Sequence, residues 1–147
     1  MTKINWTRFI IGGLIATVIL FLTDGVLHEH LLHQDWEGVY AALGAHESGL
    51  GHGVAMLYFL LFEMGRGFLS IFIYALMRPF HGAGPKTAVL AGIAAWLAFS
   101  VTGPAQFIPL GFYSIPLWVK VAGFHLVTSI VAALAGAALY KDGGAAE

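Results

Sequence analysis

Four long apolar runs constrain this chain more than any other feature of its sequence. They cover about residues 9–32, 53–77, 87–102 and 117–140, and a helix needs roughly 20 mainly apolar residues to cross a bilayer. The runs are continuous, whereas the strands of a transmembrane barrel alternate over about ten residues. Because backbone amides in lipid must be satisfied within the protein, we predict an all-α integral membrane four-helix bundle in a single domain, 1–147.

The composition agrees with this prediction and excludes several other classes of protein. Hydrophobic residues make up 59% of the 147 residues and charged residues only 10%, against about 25% charged residues in soluble proteins. That is too little charge to cover a soluble enzyme or to keep a chain disordered. The net charge of −1 provides no basic surface for nucleic acid. The absence of cysteine excludes disulfides, thiolate catalysis and iron–sulfur clusters.

The positions of lysine and arginine predict the orientation of the spans. These residues precede the first span, flank the loop between the second and third spans, and follow the fourth span: Lys3, Arg8, Arg78, Lys86 and Lys141. Positively charged loops stay in the cytoplasm, so we expect both termini to be cytoplasmic. Lys120 lies just inside the fourth span and can snorkel outward. The first run lacks a small-residue cleavage motif, and we interpret it as a span and not as a signal peptide.

The two outer loops carry aromatic residues that suit a membrane surface. In the first loop, about 34–51, apolar residues recur at i, i+3, i+4 and i+7, which predicts a short interfacial helix. The second outer loop is uncharged and contains several prolines. Aromatic residues of this kind concentrate at membrane–water interfaces. The predicted interface residues are Trp36, Tyr40, Phe107, Phe112, Tyr113 and Trp118.

Ionisable residues inside three of the spans form a second constraint. At about 1.5 Å per residue, Asp24, Glu63 and His125 lie roughly 12–16 Å inside the outer ends of their spans. We therefore expect them to share one layer of the bundle, with His28 above it and Arg66 below. Spacings of three and four residues place side chains on one helix face. They predict a pair between Glu63 and Arg66 and another between Asp24 and His28.

Several interpretations of this layer stay open. It can be structural, with an ion pair and hydrogen bonds that fix the packing of the helices. It can relay protons or a small solute, since histidine and carboxylates exchange protons near neutral pH. It can also bind a cofactor: His28 is then a metal ligand oriented by Asp24, or His28 and His125 hold a non-covalent haem axially.

A second group of candidate ligands lies at the outer end of the first span. The segment H-E-H-L-L-H contributes several of the seven histidines of the chain, and the following loop adds more. Imidazole and carboxylate groups bind Zn²⁺ or Cu²⁺, although the HExxH pattern is absent. The alternative is that these side chains are simply solvated. The candidate metal ligands are Glu29, His30, His33, His46 and His52.

The segment Tyr74–Trp96, YALMRPFHGAGPKTAVLAGIAAW, is similar to a known group of proteins. Together with the glycine-rich first span and Trp36 after it, this segment resembles small four-span bacterial inner-membrane proteins of unassigned function. The resemblance covers most of the chain. It implies a four-helix fold in a bacterial inner membrane, and it implies no activity.

These observations favour a non-catalytic accessory or scaffold subunit of a larger membrane complex. Its expected partners are the lipid bilayer and other membrane subunits or further copies of itself. Transporters usually show repeats and broken helices, and neither is visible here. Ser48 and Ser100 lack the base and orienting group that a nucleophilic serine needs, so we do not expect an enzyme. The alternative is a bundle that binds haem or a metal, or handles protons or a small solute, from the outer side.

Overall fold

The computed structural model describes residues 4–43 and 51–140, and the regular structure in these two ranges is entirely helical. Two of the segments are π-helical turns, and we refer to them as the first and second π-turn. In chain order the elements are α1 (Trp6–Val26), the first π-turn (Leu27–Leu31), α2 (His33–Leu43), α3 (His52–His81), α4 (Pro85–Trp96), the second π-turn (Leu97–Thr102), α5 (Gly103–Ala105) and α6 (Ile115–Ala138).

Four helical segments of the described chain are long and apolar enough to cross a membrane, which confirms the predicted fold class. They are Trp6–Leu31, His52–His81, Pro85–Ala105 and Ile115–Ala138. Their bounds differ from the predicted ones by a few residues. The largest shift is at the end of α3, which continues through Pro79 because a proline in a last turn removes only one helical hydrogen bond.

A three-residue turn, 82–84, connects α3 to α4. Gly82 and Gly84 have φ values of 79° and 136°, which side chains with a Cβ rarely adopt. Pro85 then starts α4 at a position where its fixed φ suits a first helical turn. The loop between the second and third spans is therefore a tight turn.

The four spans form a ring in which each packs against two neighbours. α1 lies between α3 and α6, α4 lies between the same two helices on the other side, and α3 touches α6 across the diagonal. We call the end of the bundle that holds residue 5, the 82–84 turn and residue 140 the terminal end. We call the opposite end, which holds α2, the α2 end.

Close backbone contact holds the helices together towards the terminal end. A Cβ atom placed on Gly12 of α1 would lie 2.7 Å from the carbonyl oxygen of Gly136 on α6. A cluster of ten buried residues surrounds this contact, and we call it the terminal-end cluster. Its members are Ala16, Leu20, Ile71, Tyr74, Ala75, Ala88, Ala91, Ala132, Ala137 and Tyr140.

A smaller apolar cluster lies at the α2 end, where α2 folds back over the bundle. Leu27, Leu32, Leu117 and Val121 are buried there, and the partly buried Trp36, Val39, Tyr113 and Phe124 pack against them. The predicted helix in the first outer loop is therefore present. Its location at a membrane surface stays a prediction, as does the interfacial location of the aromatic residues of the second outer loop. Of those, Phe107 and Phe112 are exposed, and Trp118 donates its indole N–H to the Val101 carbonyl at 3.3 Å.

Candidate functional site

Arg66 of α3 is the centre of a buried ionic layer between the two apolar clusters. Its side chain is 2% exposed, and its Nη1 donates to Asp24 Oδ2 at 2.7 Å and to the two carboxylate oxygens of Glu63 at 2.9 and 3.0 Å. Its Nη2 lies 3.4 Å from Ser129 Oγ. One guanidinium therefore connects α1, α3 and α6.

His125 of α6 completes the layer from the other side. Its Nε2 lies 3.2 Å from Asp24 Oδ2, and its Nδ1 lies 3.0 Å from the hydroxyl of Ser100. Asp24, Glu63 and His125 thus meet as their depth along the helices predicted. We refer to these three residues, with Arg66, Ser100 and Ser129, as the polar layer.

The predicted pairing within this layer is only partly right. Glu63 and Arg66 do pair along α3, but the guanidinium is shared with Asp24. The predicted local pair of Asp24 and His28 is wrong, because the short contacts of Asp24 go to Arg66 and His125. His28 instead accepts a hydrogen bond at Nδ1 from the indole nitrogen of Trp36, at 2.8 Å. His28 lies in the first π-turn, where the wider helix changes the direction of a side chain relative to a regular i, i+4 neighbour.

Both π-turns of the described chain supply residues to this region. The first contains His28, and the second contains Ser100, which is 1% exposed. Such turns are rare and occur frequently at functional sites. Sequence reasoning considered Ser100 only as a nucleophile and missed its role as a partner of His125. Its position in an apolar span, at a depth similar to His125, is the signal that could have indicated it.

The charges of the polar layer do not balance. Asp24 and Glu63 carry two negative charges, and Arg66 carries one positive charge that reaches both acids through a single nitrogen. Removing unbalanced charge from water costs several kcal/mol per ion even after the protein relaxes. One additional positive charge, from one bound proton, makes the layer neutral. Asp24 Oδ1 is buried without a hydrogen-bond partner, so an acceptor position for that proton exists.

A metal ion fits this arrangement less well than a proton does. Asp24, His28 and His125 offer ligand atoms within 4.8 Å of one another. However, an indole N–H can only donate, so the His28 Nδ1 that faces Trp36 is an acceptor and Nε2 carries the hydrogen. A histidine that binds zinc or haem iron has the reverse arrangement, since it donates its second N–H to a neighbouring acceptor. A divalent ion would also lie close to the Arg66 guanidinium and leave the layer positively charged.

The residues of the second predicted metal site are spread over the surface. Glu29 and His30 are exposed, His33 pairs with Glu37 in α2 at 3.3 Å, and His52 is exposed at the start of α3. The four predicted ligands that fall within the described ranges do not form a group with metal-ligand distances. His46 lies outside the described residues, so the complete site stays a prediction.

The fold and the polar layer together define a class of protein: an all-α chain with four helices of membrane-spanning length and a buried ionic layer. Comparison with protein-family models, curated proteins and solved structures found no match. The resemblance to small four-span bacterial proteins therefore stays a prediction.

Proposed function

We propose that this is a small, non-catalytic multi-pass membrane protein whose polar layer takes up and releases one proton. The observation that carries the proposal is the sharing of Arg66 Nη1 between Asp24 and Glu63. An isolated pair of Glu63 and Arg66 would be neutral and could be purely structural. A second carboxylate on the same guanidinium leaves a surplus negative charge, which a single proton neutralises.

The packing around the polar layer supports a proton over a larger solute. The described chain contains cavities of about 320 and 270 Å³, and no residue of the polar layer lines either of them. The first cavity is lined by aromatic residues such as Phe62 and Phe107, and the second lies near Tyr74. A proton needs no cavity, since it moves along hydrogen bonds between acceptors that already lie within about 3 Å of one another.

The two ends of the bundle differ in how well they shield the polar layer from the exterior. Ten buried residues separate it from the terminal end, where the N–H groups of Asn5 and Gly84 also bond the hydroxyls of Tyr140 and Tyr74. Only four buried residues form the core of the α2-end cluster, and His28 lies half-buried beside it. We propose that the proton exchanges at the α2 end and does not cross the bundle.

We further propose that the protein lies in a bacterial inner membrane with both termini in the cytoplasm, so that the α2 end faces outward. Arg8, Arg78 and Lys86 all belong to the terminal end, in keeping with the positive charge of cytoplasmic loops. Because the chain has no cysteine, single cysteines provide a direct test. Gln106→Cys should react with an impermeant maleimide on intact spheroplasts, and Ala83→Cys only after permeabilisation. The opposite labelling pattern would overturn this orientation.

A second observation favours an accessory role for this protein within a larger membrane complex. The most apolar windows of the second and third spans are 28% buried within the bundle, against 50% for the fourth span. Exposed aromatic residues, including Tyr58 and Phe59, occupy the free face of α3. We propose that this face meets lipid and a further membrane subunit or a second copy. The test is cross-linking from Tyr58→Cys, with Gly123→Cys on α6 as the comparison. If neither position gave a protein adduct, the accessory role would be contradicted.

The proton-binding proposal is tested by counting protons. The purified full chain in nanodiscs is moved between about pH 5 and about pH 9, where histidine and perturbed carboxyl groups titrate, and the protons exchanged are measured with an indicator dye. Glu63→Gln should exchange one proton fewer than the wild type, because the remaining pair of Asp24 and Arg66 is already neutral. Asp35→Asn is the control, since Asp35 pairs with Lys120 on the exterior. Equal proton counts for Glu63→Gln and the wild type would contradict the proposal.

A further inference from the structure

Trp36 connects α2 to His28, beside the polar layer, through a single hydrogen bond. Its Nε1 lies 2.8 Å from Nδ1 of His28, and the two ring centroids are 5.4 Å apart. On its other side, the indole meets Tyr113 edge-on at 5.4 Å and stacks on Tyr40 at 6.4 Å. The aromatic contacts fix the plane of the indole, and the hydrogen bond fixes the His28 ring.

His28 is the histidine between the α2-end cluster and the polar layer. Its ring centroid lies 6.1 Å from that of His125. The charged and titratable groups that act on it are Asp24 and Glu29 from its own segment, Arg66 from α3 and His125 from α6. A proton that passes between the α2 end and the polar layer therefore has His28 as its nearest carrier.

An imidazole passes a proton by accepting it on one ring nitrogen and releasing another proton from the second. For inward transfer through His28, a proton must bind the Nδ1 lone pair while the proton on Nε2 leaves towards the layer. The ring then has the same charge as before, with its tautomer exchanged. The indole N–H of Trp36 occupies that Nδ1 lone pair, so the first half of this transfer is blocked while the hydrogen bond persists.

We infer that Trp36 is a positioning residue that holds His28 in the Nε2–H tautomer and thereby limits the rate of proton exchange with the polar layer. The inference rests on the proposed function, and it assigns α2 the role of a lid. A further polar contact ties α2 to α6, the bond of Lys120 Nζ to both oxygens of Asp35, at 2.8 Å. The Lys120 side chain is 52% exposed and the Asp35 side chain 34%, and ion pairs near the surface add little stability. Separation of α2 therefore breaks the packing of Trp36 and Val39 on the α2-end cluster but no buried contact of α1 or α6 with α3.

The test compares Trp36→Phe with Trp118→Phe in the full chain in nanodiscs. Phenylalanine keeps an aromatic ring at position 36 and removes the N–H group. Trp118 is the matched control, because its indole bonds the Val101 carbonyl and not a histidine. Nitrogen-15 NMR of labelled histidine reports the tautomer of His28, and a pH jump reports the rate of proton exchange.

We expect Trp36→Phe to convert His28 from a single Nε2–H tautomer to a mixture, and to speed proton exchange about tenfold, as expected for the loss of one hydrogen bond. Trp118→Phe should change neither property. If Trp36→Phe retains the Nε2–H tautomer and the wild-type rate, the inference is wrong. In that case the proton count of Glu63→Gln still decides the proposed function separately.

A second measurement on the wild type covers the possibility that Trp36→Phe fails to fold. Coupling between the nitrogen nuclei of Trp36 Nε1 and His28 Nδ1, transmitted through the hydrogen bond, is expected in the doubly labelled protein. A His28 resonance typical of an Nδ1–H tautomer, with no such coupling, would overturn the inference without the use of any variant.

Discussion

The two halves of this bundle are built from the same four helices, yet they are held together in different ways. Towards the terminal end, Gly12 and Gly136 bring α1 and α6 into backbone contact, and the surrounding buried side chains are mainly alanine. Towards the α2 end, Arg66 and His125 fill the centre with long polar side chains. We call these the terminal half and the polar half. Close packing stabilises the terminal half, whereas the stability of the polar half depends on the balance of its charges.

The regularity of the helices follows the same division. The terminal half contains α-helical turns, and both π-turns lie in the other half, at Leu27–Leu31 and Leu97–Thr102. A π-turn has less favourable hydrogen-bond geometry, so its presence needs a compensating contact. Here His28 and Ser100 make such contacts with Trp36 and His125. Packing in the terminal half therefore contributes most of the stability, and the groups proposed to exchange the proton lie in the polar half.

The largest effect should come from removing the guanidinium of the polar layer. Arg66→Gln leaves two buried carboxylates without a guanidinium, and loss of one partner of a buried ion pair costs about 3–5 kcal/mol. We expect the variant to lose most of its folded population in a denaturant titration followed by circular dichroism. Adding Glu63→Gln to Arg66→Gln should recover part of this loss. If Arg66→Gln is as stable as the wild type, charge balance does not govern this half.

A smaller effect should come from adding one methyl group to the terminal half. Gly12→Ala places a Cβ 2.7 Å from the Gly136 carbonyl oxygen, and overpacking of this kind costs about 1–3 kcal/mol. Gly25→Ala is the control on the same helix, since no atom lies within 4 Å of its added Cβ. The measurement is the free energy of unfolding in mixed micelles. Equal stabilities of the two variants would show that the helices do not depend on this contact.

Neutralising one acid of the polar half should have a smaller effect that depends on pH. Asp24→Asn or Glu63→Gln removes the surplus negative charge, so each single variant should unfold within about 1 kcal/mol of the wild type at neutral pH. The double variant leaves Arg66 without a carboxylate and should be destabilised by much more than the sum of the single variants. Additive effects in a double-mutant cycle would contradict the shared-guanidinium account.

The smallest effect should be confined to α2. Burial raises the pKa of Tyr113 above its usual value of 10.0, and nearby Tyr40 adds to the rise. The folded chain thus holds the phenolic proton more tightly than the unfolded chain does. The stabilisation from its packing on Trp36 is fully present below about pH 10 and is lost as pH rises through the raised pKa. The hydrogen-exchange protection of α2, measured against the intrinsic exchange rate at each pH, should therefore fall at high pH, and Tyr113→Phe should abolish that fall while Tyr140→Phe should not.

The fold could be predicted from the sequence because its determinants are local. A run of about 20 apolar residues predicts a span without knowledge of its neighbours. The depths of Asp24, Glu63 and His125 also follow from the rise per residue of a helix, which is why their meeting in one layer was predictable. The contact of Arg66 with Asp24 on α1 was not predictable, because it depends on which helix lies opposite α3.

The partners of His28 and Ser100 could not be predicted for a different reason. Both residues lie in π-turns, and a π-turn is fixed by tertiary contacts and not by the hydrophobic pattern, which is continuous through both segments. Trp36 shows the same limit. Its position in a short amphipathic helix predicted an interfacial aromatic residue, whereas its indole N–H bonds a histidine from the preceding segment.

Infrared spectroscopy of the polar layer tests the central claim most directly. Protonated carboxyl groups and protonated imidazole have separate infrared bands. The difference between the spectra of the wild type and Glu63→Gln isolates the contribution of the polar layer. The account predicts that, as the pH falls from about 9 to about 5, the wild type gains one exchangeable proton more than Glu63→Gln does, and that Asp35→Asn gains as many as the wild type. Equal gains of protonated carboxyl and imidazole bands in the wild type and in Glu63→Gln over this range would contradict it.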